Sequence, residues 1–371
     1  TERQLLREMQ LTTPGWLTWI TKDDQYSKQK LTADLETLRS FYLNRGYLEF
    51  NIESTQVSIT PDRERIFITI AITEGPVYRL GELKFGGDLI VAERELRELL
   101  AMRAGDTFSR ERIIESVKRI TDRLGNDGYS FANVNPVPDV DRDKRVAAFT
   151  FFVDPGRRVY VRRVNVVGNS RTQDAVIRRE LRQLENSWYS LEKIARSKER
   201  LQRTGYFSEV NIETPSVAGT TDQVDVVVTV TEKNTGSLNF GVGYSQADKL
   251  TVSASVSQAN IFGSGNQLAF QVNNGSINRI YSLTYVNPYW TVDGIAAGID
   301  LFRRDVDTSD LTVTEYQTTS TGVGLNFGIP VTEYDTVRFG VTGEHTRLSI
   351  DPSLAPARYL DFINLFGERT D

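Results

Sequence analysis

From Ser237 onward the chain alternates apolar and polar residues with a period of two, and it does so in about seven separate runs. Leu238, Phe240, Val242 and Tyr244 alternate with Asn239, Gly241, Gly243 and Ser245. The pattern returns at Leu250–Val256, Leu268–Val272, Tyr281–Tyr285, Ile295–Leu301, Thr321–Phe327 and Val337–Val341. Period two places all apolar residues of a run on one face of a strand. The opposite face carries Gly, Ser, Thr, Asn and Gln. Charge is scarce: 22 of the 135 residues after Gly236 are charged, against 71 of the 236 up to and including it. A soluble β-domain would hide its apolar face in a dry core and leave charge on the other. An apolar face opposed by a weakly charged, glycine-rich one is the signature of a transmembrane barrel. Tyr244, Phe262, Tyr289 and Trp290 fall at strand ends, as an interfacial girdle would. Only a closed barrel satisfies every backbone group in lipid, and seven strands fall short of an even count. Closing strands are therefore expected beyond the C-terminus.

The residues before Gly236 repeat with a period near 80. Gly46-Tyr47, Gly128-Tyr129 and Gly205-Tyr206 lie 82 and 77 residues apart, and Ser27, Ser109 and Ser190 lie 82 and 81 apart. Each Ser opens an amphipathic helix and each Gly closes it. Around that helix each unit reads β-α-α-β-β. An opening strand (Tyr78–Phe85, Tyr160–Val167) leads to a first helix with apolar Leu96, Leu99 and Leu100, or Ile177, Leu181 and Leu184. Two closing strands follow, Tyr129–Val134 with Val146–Val153 and Tyr206–Glu213 with Val224–Thr231. The first copy opens inside its first helix and carries an insertion, Thr12 to Asp24, with Trp16 and Trp19. Its opening strand is expected upstream, in a longer protein.

Little points to chemistry. With no Cys and one His, thiol catalysis and His-rich metal sites are excluded, and a net charge of −5 argues against a general nucleic-acid binder. Asp139, Asp141 and Asp143 imitate a calcium loop but lack its Gly and Glu, and read as a polar turn. Arg157, Arg158, Arg162 and Arg163 read as a solvated hinge that could hold phosphate, and His345 as an outward strand residue. Binding is better served. The stretch Tyr47–Ile59 is a candidate free edge for strand addition, with Tyr47, Leu48, Phe50, Ile52 and Ser54. A helix over Ala175–Glu185 would present Arg178, Arg182 and Glu185 outward, a solvated face or a docking surface.

Tandem β-α-α-β-β modules running into a barrel resemble the POTRA–barrel insertases of the bacterial outer membrane. Val166-Val167-Gly168-Asn169, Gly205-Tyr206-Phe207 and the junction Thr231-Glu232-Lys233-Asn234-Thr235-Gly236 carry the resemblance. So do Ile261-Phe262-Gly263-Ser264-Gly265 and Asn287-Pro288-Tyr289, which resemble periplasmic turns. The fold class implied is α+β POTRA modules followed by the N-terminal part of a transmembrane antiparallel β-barrel. Residues 1–76, 77–157 and 158–235 would be the third, fourth and fifth modules, and 236–371 the first strands of a barrel of about 16. The resemblance implies no enzyme, cofactor, metal or nucleic acid. It implies the central insertase of the β-barrel assembly machinery, in the outer membrane with its modules in the periplasm. Its partners would be nascent outer-membrane barrels, the lipid bilayer with lipopolysaccharide, and accessory lipoproteins of the BamB, BamC, BamD and BamE type, docked by Arg178, Arg182 and Glu185. Leu238, Asn239, Phe240, Gly241, Val242, Gly243 and Tyr244 would form the template edge at a lateral seam. A TamA-type assembly factor and a two-partner secretion pore are the alternatives.

Overall fold

The computed structural model describes residues 1–11, 26–62, 65–246, 248–308, 316–350 and 357–366. The insertion with Trp16 and Trp19 lies outside the described residues. The chain divides into two compact units, and the division runs through the third module. One unit is Thr1–Arg163 with Gln183–Lys193 and Ser216–Asp225; the other is Val164–Arg182, Ile194–Pro215 and Val226–Asp371.

The first unit opens with helices α1 (Glu2–Glu8) and α2 (Lys28–Leu43) and a two-stranded sheet of β1 (Asn51–Ile59) and β2 (Ile66–Thr73). The second module follows as β3 (Arg79–Gly87), α3 (Glu93–Glu98), α4 (Arg110–Asn126), β4 (Asn133–Asp141) and β5 (Val146–Asp154). Its sheet order is β3-β5-β4, with β3 parallel and β4 antiparallel to the central β5. Alternate residues of β5 point at the helices: Ala147 and Phe151 are fully buried, Phe149 and Val153 nearly so. They meet Leu96 of α3 and Ile113, Ile120 and Leu124 of α4, a dry core in which each large side chain contributes about 1.5–3 kcal/mol. The Ser109 hydroxyl accepts the Arg112 amide at the start of α4, as the cap position favours. Gly46 and Gly128 close their helices at φ +97 and +105, where side chains are disfavoured.

The third module repeats the pattern as β6 (Tyr160–Val167), α5 (Asp174–Arg178), α6 (Leu191–Arg203), β7 (Phe207–Glu213) and β8 (Gln223–Glu232), in sheet order β6-β8-β7. Three expectations need correction. The closing strand of the second module begins at Asn133, not Tyr129. Tyr47, Leu48 and Phe50 precede β1 rather than belonging to it; Phe50 is buried and stacks on Tyr42, with ring centroids 4.3 Å apart. The helix expected over Ala175–Glu185 stops at Arg178, and Leu184, assigned to its core face, is exposed. The buried Gln183 side chain builds the turn that follows. Its amide donates to the Ser187 hydroxyl at 2.8 Å and the Trp188 carbonyl at 3.0 Å, and its oxygen accepts the Ser190 amide at 3.0 Å.

The second unit is dominated by a seven-stranded antiparallel meander. Its strands are β9 (Gly236–Ser245), β10 (Lys249–Ile261), β11 (Asn266–Asn274), β12 (Asn278–Asn287), β13 (Ala296–Asp307), β14 (Tyr316–Pro330) and β15 (Thr336–Ile350), each paired with its sequence neighbours. A helix, α7 (Ala357–Phe366), comes after it. Register sorts the side chains. Val242 faces Val252, Leu283 faces Leu301 and Leu325 faces Val341, so one face is apolar at these pairs, while Arg303, Thr321 and His345 continue it toward one end. The other joins Gly241 to Ser253, Thr284 to Asp300 and Asn326 to Gly340. Along β9, β12 and β13 the apolar face stays exposed, because no second layer covers it.

Candidate functional site

Strand β9 is the first of the sheet and, among the described residues, pairs with β10. The register Lys249↔Ser245 to Gln258↔Gly236 has no bulge. It places Leu238, Phe240, Val242 and Tyr244 outward, all exposed, with Phe240 at 75% and Tyr244 at 79%. Asn239, Gly241, Gly243 and Ser245 take the opposite face. Asn239 donates to the Ser255 hydroxyl at 3.3 Å, and the Ser237 and Ser257 hydroxyls meet at 2.7 Å. A Cβ on Gly243 would meet nothing within 4 Å, and one on Gly241 only the Ser253 hydroxyl at 2.6 Å. Packing within this sheet therefore does not demand glycine at Gly243.

The far end of this hairpin is tied down. The Asp248 carboxylate accepts the amides of Ile277 and Asn278 at 3.0 and 3.3 Å, and the Ile277 carbonyl accepts the Asp307 amide at 2.8 Å. One acidic side chain thus links the β9–β10 turn to the β11–β12 turn.

At the opposite end three successive turns receive the third module, all within one compact unit. The β10–β11 turn is gripped through backbone: Gln173 N–H donates to the Gly263 carbonyl at 2.9 Å and the Tyr206 hydroxyl to the Gly265 carbonyl at 3.0 Å. Asn260 bridges inward, its Nδ2 donating to the Thr172 hydroxyl at 2.8 Å. Gly263 is required here, because a Cβ would fall 1.9 Å from the Arg171 carbonyl oxygen. The loop that makes these contacts is organised by Glu232, which accepts Ser170 Oγ at 2.8 Å, Arg171 N–H at 3.0 Å and Thr172 N–H at 2.6 Å. Burial opposes charge on Glu232, yet the bonds from Thr172, Ser170 and Arg171 outweigh it and hold the carboxyl below its ordinary range.

The β12–β13 turn is held by Tyr289. Its hydroxyl accepts Arg200 at 2.7 Å, and the Arg179 guanidinium lies 4.2 Å from the ring centroid. Burial, then the nearby Glu180 carboxylate, pushes the Tyr289 hydroxyl above its ordinary pKa. In the β14–β15 turn Glu333 accepts Arg182 at 2.8 Å and Arg196 at 3.2 Å. The Arg182 bond holds the Glu333 carboxyl below its usual range, against a smaller opposing effect of burial.

Three residues named for partner docking have distinct surroundings. Arg178 bonds Asp174 and, at 3.0 Å, the Val164 carbonyl. Arg182 is engaged by Glu333. Glu185 is exposed in the turn after α5. The basic run Arg157, Arg158, Arg162, Arg163 is largely paired, Arg162 forking onto Asp225 at 2.9 and 2.6 Å and Arg158 donating to the Asp127 carbonyl at 2.7 Å. Of the candidate edge in the first module, Ile52 and Ser54 lie on β1, flanking a bulge. No cluster of three or more His, Cys, Asp or Glu suited to a metal occurs among the described residues. Arg179, Arg196, Arg200, Glu333 and Asp248 carried no local sequence signal of their roles. The spacing of the arginines along α6, at Arg196, Arg200 and Arg203, was the one available hint.

Comparison with known proteins agrees with this architecture. The POTRA family model, described as surface antigen variable number repeat, matches residues 1–75, 78–156 and 159–233, and an Omp85 superfamily domain matches 260–365. Outer membrane protein assembly factor BamA of Neisseria meningitidis serogroup B is 36% identical over 99% of this chain and 46% of its own length. BamA of Buchnera aphidicola is 28% identical over 95% of this chain and 57% of its own length. Haemophilus ducreyi BamA lacking POTRA domains 1–3 superposes with a TM-score of 0.69 at 32% identity, over 79% of this chain and 55% of that one. Haemophilus influenzae BamA POTRA3–5 does so at 0.56 and 33% identity, over 62% and 91%. The chain spans about half the length of the curated relatives it matches.

Proposed function

We propose, from the premise that this chain belongs to the POTRA family and carries an Omp85 domain, that it acts in outer-membrane protein assembly as BamA-type factors do. The chain is an outer-membrane protein whose modules lie in the periplasm. The modules take up unfolded barrel proteins, and β9 serves as the template edge at a lateral seam. Along Leu238 to Tyr244 the apolar side chains already face outward, as a strand pairing in lipid requires. The bare inward face of β9, where a Cβ on Gly243 would meet nothing within 4 Å, is the observation that supports the reading.

No nucleotide is needed. An unpaired N–H or C=O in hydrocarbon costs several kcal/mol, so each strand pair that closes in lipid moves the substrate downhill. The factor lowers the barrier by presenting a paired edge. Gly241 and Gly243 leave the inward face of that edge bare and let another backbone approach closely. Accessory lipoproteins dock on the third module, with Arg178 and the exposed Glu185 as candidate contacts and Arg182 committed to Glu333. Relatives bearing the assembly-factor name favour this reading over a TamA-type factor or a secretion pore.

The test places a photo-crosslinking residue at Asn239, Gly241 or Ser245 of the full-length parent protein in cells. Adducts with many different nascent barrels are expected. Adducts with a single secreted protein, or with none but the protein's own strands, would remove the template role. Gly241→Val with Gly243→Val should slow insertion about tenfold, the worth of about 1.4 kcal/mol on the barrier; an unchanged rate would count against an opening seam.

A further inference from the structure

The sheets of the second and third modules are alike in order, and the open edge of the second differs in kind. Strand β4 is the outer strand of the second module, and it carries Pro136 and Pro138. Its ladder with β5 nevertheless runs through nine consecutive pairs, Asn133↔Asp154 to Asp141↔Val146, including Pro136↔Phe151 and Pro138↔Phe149. A proline nitrogen has no hydrogen to give to that ladder. In an antiparallel pair, residues alternate between those that turn N–H and C=O toward the partner and those that turn both away. The Val153 carbonyl accepts the Asp88 amide on the β3 side, so Phe149, Phe151 and Val153 turn their backbone groups toward β3, and Pro136 and Pro138, paired with Phe151 and Phe149, turn their nitrogens away from β5, toward the open edge.

The positions that face outward are then Val134, Pro136, Pro138 and Val140. A strand arriving at this edge finds amide donors at the two ends, about 20 Å apart at 3.3 Å per residue, and none between them. Proline on an edge strand is how sheets refuse further pairing. The outer strands of the other modules have no such block: neither Asn51–Ile59 nor Phe207–Glu213 contains a proline.

We propose that the middle module is closed to strand addition, while β1 and β7 are open to it. An extended segment of an unfolded protein is then taken as an added strand by the first or the third module and passes the second without pairing. What the second module offers is side-chain contact, through half-exposed Phe152 and Val137 on its outer sheet face. This rests on the reading that the modules receive extended chains.

The test uses the full-length parent protein in detergent micelles and a ten-residue peptide of alternating Val and Thr with a photoreactive residue at its centre. Adducts are mapped by mass spectrometry to β1, β4 and β7. In the native sequence, label is expected at β1 or β7 and not at β4. In Pro136→Val with Pro138→Val, label at β4 should rise about fivefold for each restored donor, the usual worth of one hydrogen bond. The single variants should fall between, and they stand in if the double variant does not fold. Label at β4 in the native sequence equal to that at β1 or β7 overturns the proposal, and so does a folded double variant that stays unlabelled there. If β4 gains label in the variant while β1 and β7 take none in either protein, the proline block stands and the receiving role of the modules falls.

Discussion

Strand β5 of the second module and strand β13 of the large sheet follow the same period-two rule and meet different surroundings. In β5 the inward residues Ala147, Phe149, Phe151 and Val153 are at most 6% exposed, because α3 and α4 cover that face. In β13 the apolar residues Ile299 and Leu301 are 45% and 43% exposed, because nothing covers them. Alternation therefore fixes which residues share a face but not what that face touches. The polar partner face decides it. In the second module β4 and its turn carry Asp139, Asp141 and Lys144; in the sheet Ser, Thr, Asn and Gly prevail, as a barrel interior requires.

The sharpest way to break this comparison is in the module core. Phe151→Ala removes a fully buried ring that lies 5.8 Å from Phe85, centroid to centroid. It should cost about 3–5 kcal/mol, a large part of one domain's stability. Urea unfolding followed by proteolysis within Tyr78–Val153 measures it. A loss below about 1 kcal/mol would mean that the module has no dry core of the kind described.

The next largest effect contrasts two exposed residues. Leu301→Arg should cost about 2–4 kcal/mol when the full-length parent folds into liposomes, since the side chain faces hydrocarbon near the strand centre. Ile114→Arg, on the water-facing side of α4 and 55% exposed, should change stability by no more than about 0.5 kcal/mol. Equal costs would show that the apolar face of the sheet is not a lipid face.

These contrasts also explain what the sequence made legible. Each of the seven strands overlaps an expected run, because period two needs no partner to be seen. Helix caps at Ser109 and Ser190 were legible for the same reason: each hydroxyl reaches an amide three residues on. The helix over Ala175–Glu185 failed because the apolar spacing continues past Arg178, where the helix ends, into a turn that the Gln183 side chain holds through Ser187, Trp188 and Ser190. The seat of the third module was illegible for a simpler reason. Arg182 meets Glu333 across 151 residues and Arg200 meets Tyr289 across 89, so no local pattern records either pair.

The smallest effect expected lies where module and sheet turns meet, in surroundings that are neither dry core nor lipid. Arg182 and Glu333 are each about one-third exposed there, so their pairing is worth about 0.2–1 kcal/mol and weakens with salt. The Glu333 carboxyl titrates below its ordinary range in the folded protein. A depressed carboxylate contributes stability above its unfolded pKa, about 4.3, and loses it as pH falls through the lower folded value. The seat should therefore be indifferent to pH from neutrality down to about 5 and should loosen below about 4. A double-mutant cycle of Arg182→Ala and Glu333→Gln, read by thermal melts at pH 7 and again near pH 3, isolates the pair from every other contact of the module. Coupling is expected at neutral pH and should fade as pH falls through the folded value, below which Glu333 is protonated and the native side chain behaves like Gln. A coupling energy that survives in acid would mean that the turn is held by packing alone. The seat would then resemble the module core in its physics, and the boundary between the two regions would lie further into the sheet.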